Sequence, residues 1–425
     1  MAPRKIVIGV LCALLLTGAA EILTSETHAN DWPQFRGHYR DGISRETGLD
    51  DDWGESGPDE VWRVPIGEGY SGMSVVGDRL YTMFSAEGEA MKGEESEEAE
   101  PKKMEYAAAF DATSGEELWR TAIGEHLDTE FGNGPRATPT VDGDAIYVVG
   151  SWGDLAALDR ETGEKRWGLS LTETFGSQRP YWGFSGSALI DGNRLIIEGG
   201  GGEGKSYAAL DKSSGEILWT SGDGRPGHNS PIRVDMMGKT RYVYVAGGKL
   251  RCIDEDGQEI WAHDWPPGET HASPVYIAPD MIYASGAEGV GAQLIKVKEG
   301  PDGAELEELW KEPRLRNHFS TSVVHEGHIF GFDNATLKSI AVENGEMTWG
   351  KRGLGKGSLI YADGDLLVLS DRGELLLIEA TGEEYREKAR IRALEGRSWT
   401  SPTLAHGKLY LRNHTEMVSY DLSGS

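Results

Sequence analysis

The apolar residues of this chain fall in short alternating runs, and the runs repeat. Residues 136–150 give a small-polar start, an apolar strand through Val141, the turn Asp142-Gly143-Asp144 and a second strand from Ala145. A third strand, Leu155 to Asp159, the turn Arg160 to Glu164 and a fourth strand carrying Trp167 follow. Alternation over four to eight residues, bounded by Gly and Asp turns, predicts strands; four joined by tight turns predict one antiparallel sheet.

The unit recurs. Its starts lie at 69–76, 135–141, 183–190, 227–234, 270–277, 318–325, 355–362 and 398–405. Tryptophans mark the period: Trp62, Trp119, Trp167, Trp219, Trp261, Trp310 and Trp349, with Tyr385 in the next equivalent place. A four-stranded repeat of about 40–50 residues predicts a propeller blade. The eighth start has no fourth strand after it, and residues 57–67 hold Trp62 with no strands before it. The expected fold is therefore all-β: an eight-bladed propeller of four-stranded antiparallel blades, closed by pairing of the N- and C-terminal strands, which removes exposed edges.

Three units share one spelling: Ala109/Asp111/Gly115/Trp119, Ala157/Asp159/Gly163/Trp167 and Ala209/Asp211/Gly215/Trp219. Gly permits the positive-φ turn into the fourth strand, Ala leaves room on the third, and Trp is a large plate for the wedge between blades. Worn copies stand at Asp254/Gly257/Trp261 and Gly345/Trp349. The pattern resembles the tryptophan-docking repeat of the PQQ-like propeller family, which includes pyrroloquinoline quinone (PQQ) dehydrogenases and the outer-membrane assembly protein BamB. The resemblance covers residues 57–425, and residues 31–49 look like the mature N-terminus of exported members. It implies an eight-bladed ring and two functional readings. The first is a non-catalytic, BamB-like binding or scaffold propeller. The alternative is a PQQ-dependent alcohol or sugar dehydrogenase. Family dehydrogenases use a calcium or lanthanide ion, an Asp base and, in many, adjacent cysteines. This chain has no adjacent cysteines and no Asp in its eight blade starts, so the binding propeller is put first. No cofactor or metal is assigned, PQQ with calcium stays open, and no catalytic residue is named.

Charge narrows the partners. Lys and Arg total 42 against 70 Asp and Glu, a formal net charge of −28, which repels nucleic acid and anionic lipid. Arg4 and Lys5 precede an apolar run, Ile6 to Ala20, too short to span a bilayer. Residues 1–29 are expected to be a cleaved signal peptide, 30–56 a lead-in, and 57–425 the propeller, with a disordered acidic insertion at 87–103. A periplasmic or secreted monomer is expected, without a transmembrane helix. Beyond the signal only Cys252 remains, which excludes an internal disulfide, a haem-attachment motif and a cysteine zinc cluster.

Two motifs are set aside. Residues 199–206 match the phosphate-loop spelling, but a strand and turn follow where that loop needs a helix, so a glycine-rich hairpin is expected. His325 and His328 fall in a first-hairpin turn and are not read as metal ligands.

Loops on a rigid scaffold carry function. The longer links lead to the first strands, nearest the axis of a propeller. They bring Tyr70, Arg136, Arg179, Trp182, His228, Asn229, His271, Asn317, His318, Lys356, Arg397 and Trp399. One reading is that these groups bond neighbouring carbonyls and cap the channel. The other is a funnel for an anionic or carbohydrate-like ligand, or for an envelope partner. Histidines at their usual pKa of about 6.5 would make such a funnel more cationic in mild acid.

Overall fold

A computed structural model describes residues 29–54, 56–88, 102–287, 289–300 and 303–424. Residues 1–28, most of the expected signal peptide, and 89–101 within the acidic insertion lie outside the described residues. The rest forms eight separate four-stranded sheets, each paired in strict sequence order except the last. Blades 1 to 8 are numbered by their first strands: Ser74–Val76, Thr140–Asp142, Leu189–Asp191, Ile232–Met236, Val275–Ile277, Val323–His325, Gly357–Ala362 and Thr403–Ala405. First strands of neighbouring blades lie side by side and form the inner wall.

The termini close the ring. Asp59–Pro65 pairs antiparallel with Glu416–Asp421, Trp62 standing opposite Ser419. Blade 8 is thus completed by a strand some 350 residues away in the chain. The expected insertion is narrower than 87–103, because Glu87 and Lys103 pair in the ladder of blade 1. The glycine-rich stretch is a hairpin: Gly201 pairs with Lys205.

The repeated spelling is architectural. Asp111, Asp159 and Asp211 each accept backbone N–H groups two and three residues on, at 2.8–3.2 Å. The turn glycine lies on the tryptophan of the preceding blade, so a Cβ at Gly163 would come within 2.5 Å of Trp119 and one at Gly215 within 2.8 Å of Trp167. Each such indole donates to a carbonyl of the next blade: Trp62 to Ala112 at 3.0 Å, Trp167 to Lys212 at 3.0 Å, Trp310 to Val342 at 2.8 Å. Second and third strands are apolar on both faces and buried, as Ala145–Val149 shows, whereas fourth strands alternate and face outward.

The lead-in does not trail from the ring; it crosses one end of it. Trp32 exchanges backbone bonds with Val75 of blade 1, Pro33 accepts from Val141 of blade 2, and Ser44 donates to Tyr361 of blade 7. Buried Arg40 reaches the carbonyls of Ser187 and Pro231 at blades 3 and 4. Buried Arg36 reaches those of Thr321 and Ser322 at blade 6. This is the end of the first hairpin turns, where Asp31 accepts from Gly77 N–H. The central channel is therefore plugged on that side.

Candidate functional site

The inner wall carries a hydrogen-bonded girdle that ties the starts of blades 2 to 6. The N–H of Thr138 donates to Ser187 Oγ, Ser187 to Ser230, Ser230 to Ser273 and Ser273 to Thr321, all at 2.9–3.0 Å. Each hydroxyl belongs to the following blade, so the start segments are tied in a chain. Two residues upstream of each girdle position stand Arg136, Ser185, His228, His271 and Phe319. Tyr70, Lys356 and Trp399 hold the same place, four residues before the first strand or its hairpin portion, in blades 1, 7 and 8. All eight line one cavity of about 620 Å³. The ring makes this convergence: one side chain per blade, delivered to the axis by a common backbone register.

The lead-in is the floor of that cavity. Trp32, Phe35 and Arg36 close it from the plugged end, leaving a blind funnel that opens towards the longer loops. Arg36 is fully buried and donates only to carbonyls, those of Arg40, Asp41, Thr321 and Ser322. Burial lowers its pKa to about 10, against the pull of Asp41, so the guanidinium stays charged at neutral pH.

One wall is aromatic. Tyr70 and Trp399 lie 5.3 Å apart between centroids, and Phe319 stacks on Trp399 at 5.4 Å. The opposite arc is a ladder of imidazoles. His228 stacks on His271 at 5.0 Å, His271 on His318 at 5.5 Å, and Trp182 covers the first two at 5.4 and 5.5 Å. Removal from water disfavours their charged forms, and so do like charges nearby. His228 is pushed down to about 3 by burial, then by His271 and Arg136. His318 is pushed down to about 4 by burial, then by Lys356. His271 is lowered by burial, although Glu269 opposes it. The expectation of histidines at their usual pKa is corrected: burial lowers all three, which disfavours charge on the ladder in mild acid.

Positive charge comes instead from Arg36, Arg136, Lys356 and Arg397. Arg136 donates to the carbonyls of Gly132 and Gly134 at 2.8 and 2.9 Å, and Arg397 to that of Phe131 at 2.8 Å. Each guanidinium also faces a ring, Arg136 over Tyr70 at 5.8 Å and Arg397 over Trp399 at 4.6 Å. Carbonyl oxygens hold these groups without cancelling their charge. The Lys356 ammonium makes no hydrogen bond or ion pair to any described residue. Two carboxylates share the wall: Glu269, 3.2 Å from His271, and Asp371. Three buried polar atoms of the lining have no partner among the described residues: Trp182 Nε1, His318 Nδ1 and Asp371 Oδ1. An unpaired buried polar group costs about 1–3 kcal/mol.

Of the twelve residues singled out in the sequence, nine line the cavity. The other three do not. Asn229 is buried and bonds both backbone groups of Val245, and Asn317 accepts from Ser322 and Tyr283 and donates to Phe332, so both are structural ties. Arg179 sits outside, over Trp152 at 4.4 Å. The sequence reading missed Phe131, Phe319, Asp371 and the floor residues. Asp371 comes from the turn before the third strand of blade 7, and its N–H bonds the Lys356 carbonyl at 2.7 Å; that turn opens on the funnel side, which is the signal that could have found it.

The family model described as "Outer membrane protein assembly factor BamB" matches residues 103–351. The chain belongs to this family. Among BamB relatives, the outer membrane protein assembly factor BamB of Salmonella typhimurium is 23% identical over 310 residues, covering 69% of this chain and 74% of its own length. The crystal structure of BamB from Moraxella catarrhalis superposes with a TM-score of 0.59 at 16% identity, over 86% of this chain and 98% of that one. The same ring is seen in the quinohemoprotein alcohol dehydrogenase from Comamonas testosteroni, with a TM-score of 0.63 at 11% identity, over 95% of this chain and 82% of that one. At such identities the likeness is one of fold, so the BamB-family frame sets the ring and the funnel has to be read from its own side chains.

Proposed function

We propose that this BamB-family chain is an exported, non-catalytic binding or scaffold propeller of the cell envelope. Its funnel takes an anionic or carbohydrate-like ligand, or a projecting segment of an envelope partner. The observation that carries this reading is the funnel's composition. Four cations face two carboxylates beside a continuous aromatic wall, inside a protein of net charge −28. Fixed positive charge within a concave, low-dielectric site concentrates anions, and flat rings beside hydrogen-bonding groups suit small polar ligands. The printed name of the relatives, outer membrane protein assembly factor, supports an envelope location. Among the described residues no helix is long and apolar enough to cross a membrane.

The second reading, a PQQ-dependent oxidoreductase, draws on the quinohemoprotein-like ring and on Asp371, a carboxylate in the cavity lining. The donor set does not fit the metal such chemistry uses: among the described residues no group of three or more His, Cys, Asp or Glu could hold an ion. Titration separates the readings. Gluconate, followed by calorimetry, should saturate a single site. PQQ with calcium, followed by quinone absorbance, should show no saturable binding and no dye-linked alcohol or sugar oxidation. The opposite pair of results overturns the proposal.

A further inference from the structure

The funnel does not end at its mouth. Trp182, on the cavity wall, meets Phe131 at 6.0 Å and Tyr181 at 5.6 Å between centroids. Tyr181 is 64% exposed, Phe131 46% and Trp152 40%. These three are among the most exposed large apolar side chains of the described residues, and all three stand at one lip of the funnel. They are held in place there. Arg179 lies over Trp152 and donates to the carbonyls of Pro180 and Tyr181 at 2.9 and 3.0 Å. Trp152 donates to the His126 carbonyl at 3.3 Å, and Tyr181 Oη to Glu130 at 3.3 Å. An aromatic track thus runs from open surface into a blind, cationic cavity.

The charges along the track are graded. Inside are Arg36, Arg136 and Lys356, while exposed Arg397 stands nearer the mouth and donates to the Phe131 carbonyl. At the outer lip are Glu130 and the exposed Asp128, and Arg179 beside them is already over Trp152. A ligand that follows the track inward meets its favourable positive charge from Phe131 onward, not at the outer lip. Further negative charges along its length would face acidic side chains on a protein of net charge −28. Exposed rings suit partners with one apolar face and polar edges. Sugars joined through equatorial bonds have such a face on every residue and form a flat ribbon narrow enough for a single-file site. A protein surface could cover the lip but could not follow it to the floor.

We propose that funnel and lip together hold an equatorially linked oligosaccharide ending in one carboxylate, with the acidic end in the cavity and the neutral residues on Trp152, Tyr181 and Phe131. This rests on the funnel reading above and names its ligand class.

Three probes test it by calorimetry on the exported chain: gluconate, cellotetraose, and cellotetraonate, in which the β-1,4-linked chain ends in the aldonate. Cellotetraonate should bind at least about tenfold more tightly than either of the others, the scale expected for two or three stacked rings. The ratio of cellotetraonate to gluconate affinity should fall about tenfold in the double variant Trp152→Ala/Tyr181→Ala. Gluconate binding with no gain from chain length overturns the inference and leaves the funnel reading standing. So does an unchanged ratio in the double variant. Cellotetraose as tight as cellotetraonate removes the acidic anchor and overturns it too. No binding of any probe overturns both readings.

Discussion

Arg36 donates a 2.8 Å hydrogen bond to the carbonyl of Thr321, a partner 285 residues away. A second N–H of the same guanidinium reaches Ser322 at 2.7 Å. Blade 6 is thereby tied to a segment that pairs with blades 1, 2 and 7 and bonds to blades 3 and 4. The lead-in is a spoke across the ring as well as a floor for the funnel. A planar guanidinium presents five N–H donors in a fixed fork, whereas an ammonium presents three from a single point and cannot span the same set of carbonyls. Arg36→Lys should therefore lower the melting temperature almost as much as Arg36→Met. Each should cost several kcal/mol, at about 1–3 for every buried carbonyl left unpaired. Thermal unfolding of both variants checks this; a silent Arg36→Met would mean that the lead-in is dispensable.

Ring closure makes a separate prediction. Deletion of residues 57–67 removes Trp62 from its place opposite Ser419 and against Gly115. It leaves the strand Glu416–Asp421 with an open edge. Loss of a buried Trp costs about 3–5 kcal/mol, and an unpaired edge invites association. Light scattering should show aggregation of the truncated protein, together with a lower melting temperature. A monomer of unchanged stability would refute closure by the termini.

Tryptophans of the two classes should behave differently. Trp167 packs on Gly215 and donates to Lys212, whereas Trp399 lines the funnel. Trp167→Ala should destabilise by about 3 kcal/mol or more, and Trp399→Ala by much less. Equal losses would mean that Trp399 is a packing residue.

These contrasts show what the sequence could and could not disclose. The ring was legible because strand alternation is local and repeated eight times, with the Asp-Gly-Trp spacing intact in three units and worn in others. Six of the nine funnel residues were legible because one backbone register carries them; Trp182, His318 and Arg397 were legible because they lie in the same longer links. The floor was not, since Arg36 and Arg40 act through carbonyls hundreds of residues away and no periodicity announces such bonds. Asn229 and Asn317 misled because amides at a blade start serve equally as ligand groups or as ties, and only the positions of Val245 and Phe332 decide. The histidines misled for a related reason: their lowered pKa comes from burial, which exists only once blades 4, 5 and 6 are side by side.

That lowering has a measurable sign. A histidine held below its usual pKa binds fewer protons folded than unfolded between about pH 6.5 and its folded value. Stability then falls as pH drops through this window, by up to about 1.4 kcal/mol per pH unit for each such group. Glu105 and Glu198, buried and pushed up to about 7 and about 8, act with the opposite sign above about pH 4.5, so the comparison must be between variants. Relative to the parent, His228→Gln should gain in melting temperature between pH 7 and pH 4. A constant difference would show that His228 titrates normally.

The central claim is that the convergent blade starts make an anion site. Lys356 is its most direct probe, because its ammonium has no hydrogen bond or ion pair to any described residue. Calorimetric titration of gluconate into the parent and Lys356→Ala proteins at pH 7 is the deciding measurement. Saturable binding by the parent, weakened about tenfold or more in the variant with the melting temperature nearly unchanged, is the predicted result. No binding by the parent, or equal affinity in the two proteins, would contradict it.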